Sequence, residues 1–279
     1  MAGIVAGIAI VAAAGWLRER ARARALQKAL LGNAANSQPV DFAALEELPP
    51  PVRRYFLHVL PQGQKLIRIA AIQQSGRLRT GARSKKWLPF RARQYFAPIA
   101  KGFVWDARVK LPFGAHIRVL DSCIFGIGSG RVSFLSAFPI AAENDVPELN
   151  AAALQRYLAE AVWCPTALLP QSGVAWTAID EQSALATLGV HDLSVSLEFR
   201  FNEAGEVVGV FTPARFARID GEYRQLPWEG CFADYQLVSG IRVPRYGEVG
   251  WHMDGALEMV WKGEIISIQY DATRAETKE

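Results

Sequence analysis

The apolar and polar positions along the chain fall into three textures. Ala2 to Leu17 (AGIVAGIAIVAAAGWL) is a run without a charged side chain, followed by RERARARALQKALLG, where charges alternate with alanine and leucine. Both stretches favour helix, and Gly32 is a natural stop. NAANSQP (33–39) reads as a linker. DFAALEELPPPVRRYFLHVLP then predicts a short helix capped by Asp41 and interrupted by Pro49, Pro50 and Pro51. Its second half would dock Tyr55, Phe56 and Val59 on the core. From Leu66 the period shortens to alternating segments separated by turn signals, the mark of antiparallel sheet. Alternation is clearest in Phe90-Arg91-Ala92-Arg93-Gln94-Tyr95-Phe96 and in Phe103 to Val109. GRVSFLSAF reads as one strand, and Asn202 to Gly205 and Ser239-Gly240 as hairpin turns. One helix interrupts the strands, VPELNAAALQRYLAEAVWCP. It carries Leu149, Ala153, Tyr157, Ala161 and Cys164 near one face, with Leu154, Leu158 and Val162 beside them. About a dozen strands are too many for a flat sheet, so the sheet should curl around that helix.

The first texture predicts a membrane anchor. As a helix, the uncharged run spans about 24 Å, slightly short of a ~30 Å hydrocarbon core. Ala2, Ile4, Ile8, Ile10, Trp16 and Leu17 would form the anchor, with Trp16 at the interface. A cleaved signal peptide would place its basic residues before the apolar run, whereas here they follow it. Gly3, Gly7 and Ala14 form a small-residue face that another transmembrane helix could approach, although lipid could equally cover it. Arg18, Arg20, Arg22 and Arg24 should hold the large domain on the cytoplasmic side of the inner membrane. The expected organisation is an anchor helix with a basic cytoplasmic extension (1–32), a linker and short helix (33–64), a half-barrel (65–271) and a polar tail (272–279). The fold class is mainly β (α+β), an N-terminal transmembrane helix followed by a curved antiparallel half-barrel sheet with one embedded helix.

LPPPVRRYFLHVLPQGQ, WLPFRARQYF with GFVWDARV, RYLAEAVWCPTALLP and PWEGCFADYQLVSGIRVPRYGEVGW resemble a bacterial family of membrane-anchored proteins without assigned function, over about residues 45 to 270. The order of elements in the second half is also similar to LolA-type lipoprotein carriers, in which helices close the open side of a curved antiparallel sheet. The resemblance implies a fold with room for an apolar cavity, and no chemistry.

Composition narrows the function without naming it. Half the residues are hydrophobic (51%), which excludes a disordered chain, and three cysteines exclude a disulfide scaffold. Residues 18–30 hold five basic side chains and one acidic, which accounts for the whole net charge of +4. The remainder is neutral, so no nucleic-acid partner is expected. His58, His116, His191 and His252 stand apart, without the spacing a metal site needs. No metal, cofactor or catalytic residue is therefore expected. Gly126, Gly128 and Gly130 imitate half of a dinucleotide loop but lie between strands, where a relaxed bend explains them better. Arg156 and Glu160, four apart on a helix, read as a surface pair. Arg91, Arg93 and Arg108 read as the solvated face of the sheet, or as a basic stripe toward lipid headgroups.

The eight tryptophans say more. Trp105, Trp163, Trp176, Trp228 and Trp251, with Tyr157, either fill a core or line a cavity for a lipid, quinone or pigment. Two functions follow. The first is a non-catalytic accessory subunit of an integral membrane complex, such as an energy-transducing one, in contact with membrane lipid. The alternative is a carrier or sensor of a hydrophobic ligand in the half-barrel. An enzyme using the same cavity comes last.

Overall fold

Hairpins build almost the whole molecule. The computed structural model describes residues 2–32 (side chains from Ile10), 38–80 and 84–271. Strands β1 (Ala70–Arg79), β2 (Trp87–Ala97), β3 (Gly102–Lys110), β4 (His116–Ile124), β5 (Ile127–Phe134) and β6 (Phe138–Asn144) form one antiparallel meander. A second meander comprises β7 (Val174–Ala178), β8 (Ser183–Val190), β9 (Leu193–Phe201), β10 (Val207–Ile219), β11 (Glu222–Val238), β12 (Ile241–Met253) and β13 (Ala256–Tyr270). Pairing of β1 with β13 joins the two into one sheet, with β6 and β7 at its edges.

Helix α3 (Pro147–Glu160) connects those edges and packs on β3, β4 and β5 as well as on β9 and β10. In the strand order, β5 and β9 are nine places apart. Flat, they would lie about 43 Å from each other at ~4.8 Å per strand. A helix is only about 10–12 Å wide. One helix can touch both only if the sheet curls around it, so the expected half-barrel with its embedded helix is present. A short helix, α2 (Pro50–Val59), packs on β8 and β12. Asp41 caps the turn before it, its Oδ1 accepting from the amides of Ala43 and Ala44 at 3.0 and 3.3 Å. Tyr55, Phe56 and Val59 are buried as expected.

Two sequence-based assignments change. GRVSFLSAF is a hairpin, β5 to β6, whose turn places Leu135 and Ser136 at φ 51° and 56°. Neither is a residue that advertises a left-handed turn. The linker at 33–37 and the tail at 272–279 lie outside the described residues.

The larger correction concerns the N-terminal helix. Helix α1 (Ala2–Leu31) is continuous and stops at Gly32 as expected. Among the described residues, however, no helix is long and apolar enough to cross a membrane. The side chains assigned to the anchor at Ala2, Ile4 and Ile8, and the small-residue positions Gly3 and Gly7, lie outside the described residues. The uncharged run is helical from Ala2 onward, and its side chains are described over Ile10 to Leu17, eight residues. Beyond it, α1 packs on the convex face of the sheet. Ala23 and Leu30 are buried against Tyr95, Ala97, Val104 and Leu120. Glu19, 3% exposed, receives a hydrogen bond from Arg131 Nε on β5 at 2.7 Å. Gly15 lies against Ala137 so closely that a Cβ there would stand 2.3 Å from its carbonyl oxygen. The stripe Gly15, Glu19, Ala23, Leu30 thus belongs to the folded domain. Ala14 is half-buried beside it, and Ile10 and Leu17 face outward. Arg18, Arg20, Arg22 and Arg24 are exposed, with Arg20 4.4 Å over the Trp16 ring.

Gly15→Val should lift α1 from the sheet without disturbing the half-barrel. Hydrogen exchange should quicken in residues 10–31 and stay unchanged in β8 to β13; unchanged protection of α1 would refute the docking.

Candidate functional site

The concave face is not filled. Between α3 and the sheet lies a cavity of about 410 Å³, walled by Trp105, Trp163, Trp228, Trp251 and Trp261, with Val119, Val132, Val249 and Val260 between them. Alternation aims these residues inward. On β3, Phe103, Trp105, Ala107 and Val109 face the main core, while Val104 faces α1. Trp228 of β11 and Trp251 of β12 are directly paired across the strands. Trp163, 2% exposed, closes the end of α3, donating from Nε1 to the Pro244 carbonyl at 3.1 Å and meeting Phe232 edge-on.

Of the aromatics singled out from the sequence, Trp105, Trp163, Trp228 and Trp251 meet at this cavity. Tyr157 and Trp176 do not. Tyr157 stacks on Phe96 in the solid part of the core, with centroids 4.6 Å apart. Trp176 packs on Phe199 and donates to the Leu168 carbonyl at 2.9 Å.

One wall of the cavity is charged, which sequence reading did not anticipate. Arg156 is no surface residue. Its Nε donates to Glu160 at 2.8 Å and its NH1 to Asp121 at 3.0 Å. Its guanidinium also lies 4.7 and 5.0 Å above the Phe103 and Trp105 rings. Glu160 accepts a further bond from Gln94 Nε2 at 2.6 Å, Gln94 accepts from Gln74 at 2.9 Å, and Gln74 accepts from Trp105 Nε1 at 2.8 Å. Every link of this chain is satisfied by its neighbour, as buried polar groups require. Burial pushes the Asp121 carboxyl above its ordinary range, opposed by the adjacent Arg156. Burial also disfavours the charge on Arg156, but Glu160 and Asp121 outweigh it and raise its pKa.

Arg215 of β10 is different. Its guanidinium lies over the rings of the neighbouring Trp228 and Trp251, 4.9 and 5.1 Å from their centroids, and lines the cavity. NH2 donates to the Ala152 carbonyl at 3.1 Å, while Nε is buried without an acceptor. Burial, aided by the like charge of Arg156, lowers its pKa to about 10. It stays cationic at neutral pH. A β-bulge between Thr212 and Arg215 turns it inward.

The remaining candidates fall elsewhere. His58 pairs with Glu206 at 3.7 Å, His116 with Ser136 at 2.8 Å and His252 with Glu229 at 2.9 Å, and His191 sits in a left-handed turn. Among the described residues, no three His, Cys, Asp or Glu gather to hold a metal. Phe125 and Gly126 form the β4–β5 turn at positive φ, so the glycine-rich stretch is a hairpin; Gly128 there lets α3 pass close.

Residues 38–263 match the sequence profile of DUF6544, described as a family of unknown function. Among solved structures, the chain is similar to the crystal structure of a LolA superfamily protein from Nitrosomonas europaea. That match has a TM-score of 0.40 and 9% identity, and covers 81% of this chain and 94% of that one. A beta-barrel-like protein of domain of unknown function DUF1849 from Brucella abortus is also similar (TM-score 0.23, 8% identity, 74% and 99% covered). The LolA-type resemblance drawn from the sequence has a counterpart there, and at these values neither match bears on ligand or partner. No curated protein matches.

Two substitutions probe the site. Trp163→Ala should cost about 3–5 kcal/mol, as truncated core aromatics do. Gln94→Ala strands one oxygen of Glu160 and the amide of Gln74, and should cost about 1–3 kcal/mol. Denaturant titration checks both; wild-type midpoints would mean that the wall is exposed and solvated.

Proposed function

The chain belongs to DUF6544, a family of unknown function, and from its cavity we propose that it binds and carries a hydrophobic ligand inside the half-barrel. The observation that supports this reading is the tryptophan-walled space of about 410 Å³. That volume lies within the ~300–1,000 Å³ range of small-molecule sites. The tryptophans supply rigid apolar area that a ligand with apolar bulk would cover.

The accessory-subunit reading lost part of its support. The Gly15–Leu30 stripe of helix α1 packs on the protein's own sheet, and the small-residue positions Gly3 and Gly7 lie outside the described side chains. Membrane lipid remains the partner class that a carrier of this kind calls for.

A bromine-labelled fatty acid quenches tryptophan on contact and so tests the proposal. Added to delipidated full-length protein, it should quench fluorescence saturably at one molecule per chain. Val119→Trp, which fills the cavity, should abolish saturation while leaving the circular dichroism spectrum unchanged. Saturable quenching that survives Val119→Trp, or none by a fatty acid or a quinone analogue, would refute the carrier function.

A further inference from the structure

We propose that the ligand is a single-chain amphiphile with an anionic head, and that Arg215 in the cavity wall holds that head. The inference rests on the carrier reading and adds the chemistry of the ligand. Three observations converge on it.

The first is the inequality of the two buried arginines. Arg156 is neutralised by Asp121 and Glu160 within hydrogen-bonding distance. Arg215 has no carboxylate at ion-pair distance among the described residues; NH2 donates to a backbone carbonyl, and Nε has no acceptor. A charge removed from water without a partner is costly, so the site lacks one negative group. The second is placement. The Trp228 and Trp251 rings both contact the guanidinium, and the irregularity between Thr212 and Arg215 turns it inward. A side chain held this way loses little freedom on meeting an anion, and its planar fork suits a carboxylate or phosphate. The third is size. About 410 Å³ at the lower end of the ligand range accommodates one chain rather than several. The neighbouring carboxylates do not oppose an anion strongly. Both are bonded to Arg156, and burial drives Asp121 toward its neutral form.

The test compares four probes of equal chain length: dodecanoate, dodecyl phosphate, dodecanol and dodecylammonium. Each displaces the bromine-labelled fatty acid from delipidated full-length protein. At least one anion should bind about ten-fold or more tighter than dodecanol, the worth of one charge-assisted hydrogen bond. Which anion leads identifies the head as carboxylate or phosphate. Dodecylammonium should bind weakest. Arg215→Gln should erase the preference for the anion and leave dodecanol affinity unchanged, and Arg215→Lys should restore part of it. Equal binding of anion and alcohol by the wild type overturns the proposal while leaving the carrier function standing. So does an Arg215→Gln variant that loses all ligands equally. If no probe binds, the carrier reading itself falls. Should Arg215→Gln fail to fold, the wild-type comparison still decides.

Discussion

The pairing of β1 with β13 is the contact on which the molecule depends. Every other strand neighbour is the next strand in the chain, so each remaining ladder is a local hairpin. Ala70↔Tyr270 and Ile72↔Ile268 join the beginning and end of the domain across some two hundred residues. Without that ladder the chain would form two open meanders, each with a long edge and one bare hydrophobic face. With it, thirteen strands curl into one trough and α3 has a surface to fill. The approach is close. Gly76 opposes Gly263, and a Cβ on Gly76 would stand 2.1 Å from the Lys262 carbonyl oxygen. Glycine is required there because the backbones themselves are in contact.

The two faces of the trough carry different chemistry. On the convex face, α1 covers a small apolar patch and brings Glu19 to Arg131, while Arg118 pairs with Asp106 nearby. Glu19 and Arg131 are compensated at the site of contact, and docking there aligns the helix as well as burying it. On the concave face, burial is far more extensive, yet it stops short at the tryptophan-lined cavity. A core that achieves interior packing around Phe96, Tyr157 and Leu154 had the means to close this space too. The cavity persists because five indoles and a ring of valines face it with no large side chain inserted.

The fold was legible where local periodicity and burial agree. Alternation in β2 and β3, the turn at Ser239-Gly240, the cap at Asp41 and the amphipathic α3 all follow from neighbouring residues. Failures occurred where a distant element changed the meaning of a pattern. Residues 18–32 read as a basic extension of the first helix, but that stretch is held against the sheet through the four-residue rhythm Gly15, Glu19, Ala23. That rhythm lies in the sequence and was outweighed by the charge run around it. Arg156 and Glu160 have the spacing of an exposed pair. The sheet wraps α3 on both sides, so that past Pro147 even its polar face is at least half-buried. Arg215 was hidden by the bulge. Strict alternation from Val210 and Thr212 would place Ala214 inward and Arg215 outward. Pro213 within a strand is the mark of an irregularity that reverses that parity.

The charged wall decides how the cavity is to be understood. Buried ion pairs are a poor source of stability, because desolvation of both partners consumes most of their attraction. An apolar replacement of Arg156, Asp121, Glu160 and Arg215 would serve folding at least as well. Their arrangement is also asymmetric: the chain Trp105–Gln74–Gln94–Glu160–Arg156–Asp121 is bonded link to link, and Arg215 lines the same cavity with its own Nε donor unmatched. A network built for rigidity would have included that donor. The bonded part fixes the orientation of the wall, and the unmatched part leaves one positive group, in contact with two indoles, lining the space a ligand would fill. Selectivity then arises from the same desolvation that makes the wall expensive. A neutral or cationic head would leave Arg215 buried and unmatched, whereas an anionic one completes the set.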